Sequence, residues 1–215
     1  MSDYIWTKEL CRSYADGLRP MVRHDHMRIA QKISEKIENK PGLKVVDIAT
    51  GPGFLLLELA KLLDNPVLVA HDSSSVMLEI AVGEAKKYDK QISVCESPAE
   101  SITLENDSAD LVLCKQLLHE AADYSKVITE ICRILKPGGK AFIIDFDADG
   151  NRIAALLIKT FIRLSANKEL ADSFWKSFSS GLKGSSVVER IEQNKMKNVE
   201  YLKYGASYFI SFEKP

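Results

Sequence analysis

Leu43-Lys44-Val45-Val46-Asp47-Ile48-Ala49-Thr50-Gly51-Pro52-Gly53-Phe54 is the stretch from which the rest of the chain can be read. A short apolar run from Leu43 to Ile48, interrupted by Lys44 and the carboxylate of Asp47, enters a turn with two glycines. The helical pattern Leu55-Leu56-Leu57-Glu58-Leu59-Ala60 follows. Strand, glycine turn and helix in that order open a nucleotide-binding α/β unit. The glycines let the chain turn tightly and let a ligand approach the backbone, because a Cβ would block both. A helix starting there aims free N–H groups at whatever occupies the turn. The dinucleotide fingerprint would put a third glycine where Leu56 stands, and the phosphate-cradling G-x-x-x-x-G-K-[ST] is absent. The acid instead precedes the turn, at Asp47.

Downstream, Val67-Leu68-Val69-Ala70-His71 reads as a buried parallel strand by its continuous apolar character. It ends at Asp72, about twenty residues past the turn, where a nucleotide fold places an acid to accept bonds from ribose hydroxyls. The competing role for Asp72 is a helix N-cap, since Ser73-Ser74-Ser75 and Val76-Met77-Leu78 follow. Gln91–Cys95 predicts a third strand, and Asp107-Ser108-Ala109-Asp110 an acidic turn into a fourth that ends at Cys114. Ile131 to Gly139 predicts a helix that stops at Pro137-Gly138-Gly139, with glycine closing it in a left-handed conformation. Ala141–Asp145 is the fifth strand.

Beyond Gly150 the pattern changes. Ile153–Leu164 is strongly apolar, and Phe174, Trp175 and Phe178 recur at helical spacing. This predicts a helical insertion over residues 148–182, either above the strand carboxyl ends, where open α/β sheets bind ligands, or packed as core or as a dimer contact. Ser185 or Ser186 would cap a last helix, and Val199–Lys203 with Ala206–Phe212 would close the chain as two strands around Gly205. At the other end, residues 3–17 predict a helix carrying Tyr4, Trp6, Leu10 and Tyr14. Pro20 would open a second helix that ends before Pro41-Gly42. His24 and His26, two apart on that helix, face different sides and do not grip one ion together.

The bulk properties exclude several classes. At 215 residues the chain predicts one domain. A formal net charge of −1 gives no reason to expect nucleic acid. No apolar run approaches a membrane span, and Met1-Ser2-Asp3-Tyr4 lacks the pattern of a signal peptide. Cys11, Cys95, Cys114 and Cys132 are far apart with no C-x-x-C pair, which predicts reduced thiols in a cytoplasmic protein.

Taken together, the glycine turn, Asp72, the Asp110 strand and Arg133-Ile134-Leu135-Lys136-Pro137-Gly138-Gly139 resemble class I S-adenosylmethionine (SAM) methyltransferases. The ubiquinone/menaquinone-biosynthesis methyltransferase branch is the nearest. The resemblance covers residues 40 to 147. It implies a Rossmann-like α/β fold, with a mostly parallel seven-stranded sheet, helices on both faces and a helical insertion after strand five. The single domain 1–215 would comprise N-terminal helices (1–40), a SAM-binding core (41–147), the insertion or substrate cap (148–182), and a C-terminal helix with an antiparallel strand pair (183–215). The motif's usual form is acid-x-Gly-x-Gly-x-Gly, and Ala49 replaces its first glycine.

By that resemblance Asp47, Ala49, Thr50, Gly51 and Gly53 would form the cofactor loop, and Asp72 and Ser73 would hold the ribose. Ser97, Pro98 and Ala99 stand where the family has Gly-Asp-Ala before a glutamate. Pro98 thus replaces the acid that often binds the adenine amine, which leaves adenine to the Ala99 backbone with Ser97 or Glu100. Lys115 would meet the cofactor carboxylate, and Tyr14 would close over its methionine end.

Methyl transfer needs alignment and exclusion of water more than a fixed triad, and a base only where the acceptor must lose a proton. His119, just past strand four, is the candidate base or substrate contact; Asp145 and Asp147 would touch substrate or cap their turn. The implied activity is a methyltransferase using SAM, yielding S-adenosylhomocysteine, on a small, partly apolar or aromatic acceptor at O, C or N. The alternatives are a SAM-binding protein without transferase activity, another SAM chemistry on the same fold, or a nicotinamide oxidoreductase.

Overall fold

The structure, a computed structural model, describes residues 8–165 and 168–215. Tyr4 and Trp6 fall outside the described residues, as does the side chain of Tyr14. The first element is a single helix, α1 (Lys8–Ser34), rather than the two expected around Pro20. A proline inside a helix withholds one N–H and crowds the preceding turn, at a cost of about 3 kcal/mol. The C-terminal half of α1 offsets this by burying Ile29, Ala30 and Ile33 against the sheet.

After α1 the chain alternates strand and helix. β1 (Lys44–Ile48), α2 (Phe54–Ala60), β2 (Val67–Asp72), α3 (Ser75–Lys87) and β3 (Ile92–Glu96) form the first half. The helix α2 stops at Ala60, the last residue of its apolar pattern. β4 (Ala109–Lys115), α4 (Tyr124–Ile134) and β5 (Leu135–Phe146) follow. Then come α5 (Arg152–Ser165), α6 (Lys168–Ser179), α7 (Gly184–Gln193), β6 (Lys197–Tyr204) and β7 (Ser207–Glu213). The strands form one sheet in the order β3-β2-β1-β4-β5-β7-β6. β7 is antiparallel to both of its neighbours, and the other pairings are parallel. This is the seven-stranded, mostly parallel sheet that the resemblance implied.

Successive strand side chains point to opposite faces, and both faces are apolar because both are covered. Val45, Leu111, Leu113, Phe142 and Ile144 face α1, α2 and α3. Val46, Ile48, Val112, Cys114 and Ile143 face α4 and α7. The chain leaves β1 toward β2 on one side and reaches β4 on the other, so the order reverses beside β1. A crevice opens at the strand carboxyl ends of such a switch point.

Two local expectations need correction. The Pro-Gly-Gly segment does not end a helix: α4 stops at Ile134, and Leu135 is already extended. Residues 136–139 instead form a bulge in β5, where pairing jumps from Ala109↔Leu135 to Leu111↔Lys140. Gly138 has φ +76° there, and a Cβ on Gly139 would lie 2.8 Å from the Lys136 carbonyl oxygen. The bulge is clasped by the C-terminus, with Gly138 N donating to Lys214 O (2.9 Å) and Lys214 N to Gly139 O (3.0 Å). Likewise neither Ser185 nor Ser186 caps α7; Lys183 occupies the cap position without a side-chain bond.

Candidate functional site

Three left-handed residues shape the loop after β1: Ala49 (φ 52°), Gly51 (φ 53°) and Gly53 (φ 78°). Glycine adopts this region freely, whereas a residue with a Cβ is strained there by about 1 kcal/mol. The glycine-to-alanine departure at position 49 therefore carries a conformational cost. The loop is held by hydrogen bonds from Thr50 N to His71 O (2.9 Å), from Gly53 N to Thr50 O (2.9 Å) and from Thr50 Oγ1 to Asp47 Oδ2 (2.7 Å). Burial pushes the Asp47 carboxyl up to about 7; the Thr50 bond opposes this and nearby Asp72 adds to it.

Asp72 joins the two nucleotide-facing turns. Its Oδ2 accepts from Gly51 N (2.9 Å) and its Oδ1 from Ser74 N (2.9 Å). Ser74 caps α3 by accepting from Met77 N (3.3 Å). Burial raises the pKa of Asp72, and the N–H groups of Ser74, Gly51 and Ser73 oppose that rise. A carboxylate has about four lone-pair directions. Asp72, on the wall of the main cavity, thus keeps acceptor capacity for ligand hydroxyls after both backbone bonds.

A second hydrogen-bonded cluster forms past β4. Asp145, 1% exposed, accepts from Leu118 N (2.7 Å), His119 N (3.4 Å) and Phe146 N (2.7 Å). Its Oδ1 lies 2.6 Å from Nδ1 of His119. Burial opposes a charge on His119, but the Asp145 hydrogen bond and the pull of Asp145 and Glu120 outweigh it and raise the imidazole to about 9. The other ring nitrogen, Nε2, is buried without a hydrogen-bond partner; Glu120 Oε1 is 3.6 Å away. Close by, Lys115 is pushed down by burial and held up by Asp25, Asp145 and Asp47, with Asp25 Oδ2 at 3.7 Å.

These groups share one cavity of about 860 Å³, within the usual range for small-molecule sites. Its polar lining includes Asp47, Thr50, Gly51, Asp72, Ser73, Lys115 and His119, and Ala49 is also on the wall. Its apolar lining includes Ile144, Phe146, Ile158, Phe161, Ile162 and Phe174. Phe146 bridges the two, edge-on to His119 (5.2 Å between centroids) and to Phe174 (5.5 Å). Side chains of α5 and α6 thus line the same cavity as residues at the carboxyl ends of β1, β2 and β4.

Four expected cofactor residues are not on the cavity wall. Gly53 lies behind the loop as the α2 cap, where a Cβ would come within 3.1 Å of Ala81 Cβ. Ser97 uses its hydroxyl on His71 Nε2 (3.1 Å) and Thr103 N (3.2 Å). Ala99 is packed in the core and Pro98 is exposed. Asp147 is structural: it accepts from Tyr201 Oη (2.8 Å), Asp149 N (3.0 Å) and Gly184 N (3.4 Å). Sequence reasoning missed Met77 and Ser74 beside Ser73, and Asp25, His26 and Arg28 of α1. The M-L pair after Asp72 was a usable signal for Met77; nothing local marks the α1 residues. Among the described residues no three His, Cys, Asp or Glu side chains gather as a metal site.

Residues 39–202 match a family model described as a methyltransferase domain. The chain is 31% identical over 115 residues to the ubiquinone/menaquinone biosynthesis C-methyltransferase UbiE of Geotalea daltonii, covering 52% of this chain and 49% of that protein. It is 33% identical over 117 residues to the protein of that name from Geobacter sulfurreducens, covering 52% and 45%. The chain spans about half the length of these curated relatives. A Methanococcus maripaludis structure described as an S-adenosyl-L-methionine-dependent methyltransferase shares the fold, with a TM-score of 0.74 and 23% identity over 100% of this chain and 96% of that one.

Proposed function

Since the chain belongs to the methyltransferase domain family, we propose that its cavity binds SAM and directs the methyl group to a small, partly apolar or aromatic acceptor. The observation that carries this reading is Asp72: a buried carboxylate on the cavity wall, tied to the glycine turn and still able to accept from a ribose diol. Ser73, Ser74 and Met77 continue that wall and would take the adenosine in place of residues 97–99. Asp47 would face the cationic end of the ligand, and Lys115 its carboxylate.

When bound, SAM supplies an electrophilic methyl on a sulfonium. The chain supplies alignment and a dry site. Phe146, Phe174 and the α5 side chains would hold the apolar body of the acceptor and keep water out, which strengthens every charge interaction inside. His119 starts at neutral pH as an imidazolium, because Asp145 holds its proton. Its Nε2–H would donate to an oxygen of the acceptor and stabilise negative charge there. Such a contact suits a phenol-like acceptor whose ring carbon or oxygen takes the methyl, and the C-methyltransferase relatives favour carbon. Cys95, Cys114 and Cys132, buried and in no disulfide, fit a reducing, cytoplasmic setting.

The test is transfer from methyl-labelled SAM to the small molecules of a cell extract, partitioned between water and organic solvent. We expect label in the organic phase, lost with His119→Ala. SAM binding without any labelled product would favour a binding protein without turnover, the reading to which the missing acid at Pro98 points.

A further inference from the structure

We propose that the outward face of α5 docks on an anionic lipid surface, placing the apolar side of the cavity against the hydrocarbon. The helix is apolar on more than the side it buries. Ala155 and Ile162 pack inward, while Ile153 (74%), Leu157 (67%) and Leu164 (82%) stand exposed. Leu156 and Phe161 are exposed as well, and at helical spacing these five form one continuous stripe. Six of the twelve exposed large apolar side chains among the described residues belong to this one helix. The others come singly from six separate segments of the chain, whereas a contiguous patch marks an interaction surface.

Charge selects the occupant. α5 carries Arg152, Lys159 and Arg163 and no acid. Lys159 is engaged by Asp172 (3.2 Å) and lies over the Trp175 ring (5.1 Å). Arg152 and Arg163 are exposed, and at 100° per residue they border the stripe beside Leu156. A second copy of this face would bring cations against cations. An anionic headgroup layer is complementary, and basic residues at the edge of an apolar face are the arrangement of helices that lie in the membrane interface. The helix is 14 residues long, and no helix among the described residues is long and apolar enough to cross a membrane, so it would lie on the surface.

The same helix turns Ile158, Phe161 and Ile162 into the cavity wall. Docking would therefore set the cavity at the boundary between headgroups and acyl chains, open to an apolar acceptor dissolved in the lipid. That last step rests on the proposed methyl transfer; the docking itself does not.

Flotation of the full chain with phosphatidylcholine vesicles, with and without phosphatidylglycerol, tests this. We expect binding to the anionic vesicles that salt weakens. Leu157→Asp and Leu164→Asp should each weaken it about tenfold or more, and Arg152→Gln with Arg163→Gln should reduce its salt dependence. All three variants should keep the wild-type melting temperature and affinity for S-adenosylhomocysteine, since none of these side chains lines the cavity. No binding to anionic vesicles, or binding that Leu164→Asp leaves unchanged, overturns the proposal. So does a solution dimer that Leu157→Asp dissolves. Vesicle binding by a chain that fails to bind S-adenosylhomocysteine would uphold the docking and remove the methyl-transfer reading.

Discussion

Gly51 and Phe161 line the same cavity but are placed there by different physics. The Gly51 side is a lattice of hydrogen bonds in which Asp72 holds the N–H groups of Gly51 and Ser74 and Asp47 holds the Thr50 hydroxyl, at 2.7–2.9 Å. The Phe161 side is a helix packed by a few apolar contacts and largely exposed. Hydrogen bonds fail abruptly when one partner is removed, because the other is left unsatisfied. Apolar surface loses free energy in proportion to area. The cavity should therefore respond steeply to substitutions on one side and gradually on the other. Cofactor recognition is conservative by this account, and acceptor choice is adjustable.

The largest expected effect is on the hydrogen-bonded side. Asp72→Ala strands the N–H groups of Gly51 and Ser74 and removes the diol contact. We expect S-adenosylhomocysteine affinity to fall about 100-fold or more, measured by calorimetry. Phe174→Ala, on the apolar side, should leave that affinity within about threefold. Equal losses in the two variants would erase the contrast.

The next effect tests the Asp145–His119 pair where the two sides meet. The folded pKa of His119 is raised to about 9 from 6.5, so the folded state binds the proton more tightly than the unfolded chain. The pair's contribution is fully present below about pH 6.5 and is lost as pH rises through about 9. Urea denaturation should show the wild type losing about 2–3 kcal/mol more than His119→Gln between these limits. Parallel profiles would mean that Asp145 does not hold the proton.

A smaller change sharpens the account of the loop. Ala49 at φ 52° is strained, so Ala49→Gly should stabilise the protein by about 1 kcal/mol and raise Tm by about 2–4 °C. Smallest of all, Leu164→Ala, at 82% exposure, should shift stability by no more than about 0.5 kcal/mol.

The same contrast explains what could be read from the chain. The sheet was legible because apolar runs ending in acids and glycines are local signals. Asp47, Gly51 and Asp72 meet on the cavity wall because one strand–turn–helix–strand unit sets their spacing. The continuity of α1 through Pro20 was not, since it depends on tertiary burial of Ile29 and Ile33 overriding a local breaker. The Pro-Gly-Gly bulge was misread because its partner, Lys214, lies far along the chain. The placing of residues 97–99 beside adenine rests on the resemblance alone, while Ser97 is committed to His71 and Thr103. His119 was visible as a residue but not as a cation. Its proton depends on Asp145, 26 residues away, which the β4–β5 register brings alongside.

We propose that this cavity is built for an adenosyl sulfonium ligand. Calorimetric titration of the unmodified protein with SAM, S-adenosylhomocysteine and NAD tests it most directly. Saturable one-to-one binding of the first two and none of NAD is expected. Binding of NAD alone, or of none of the three, would contradict it.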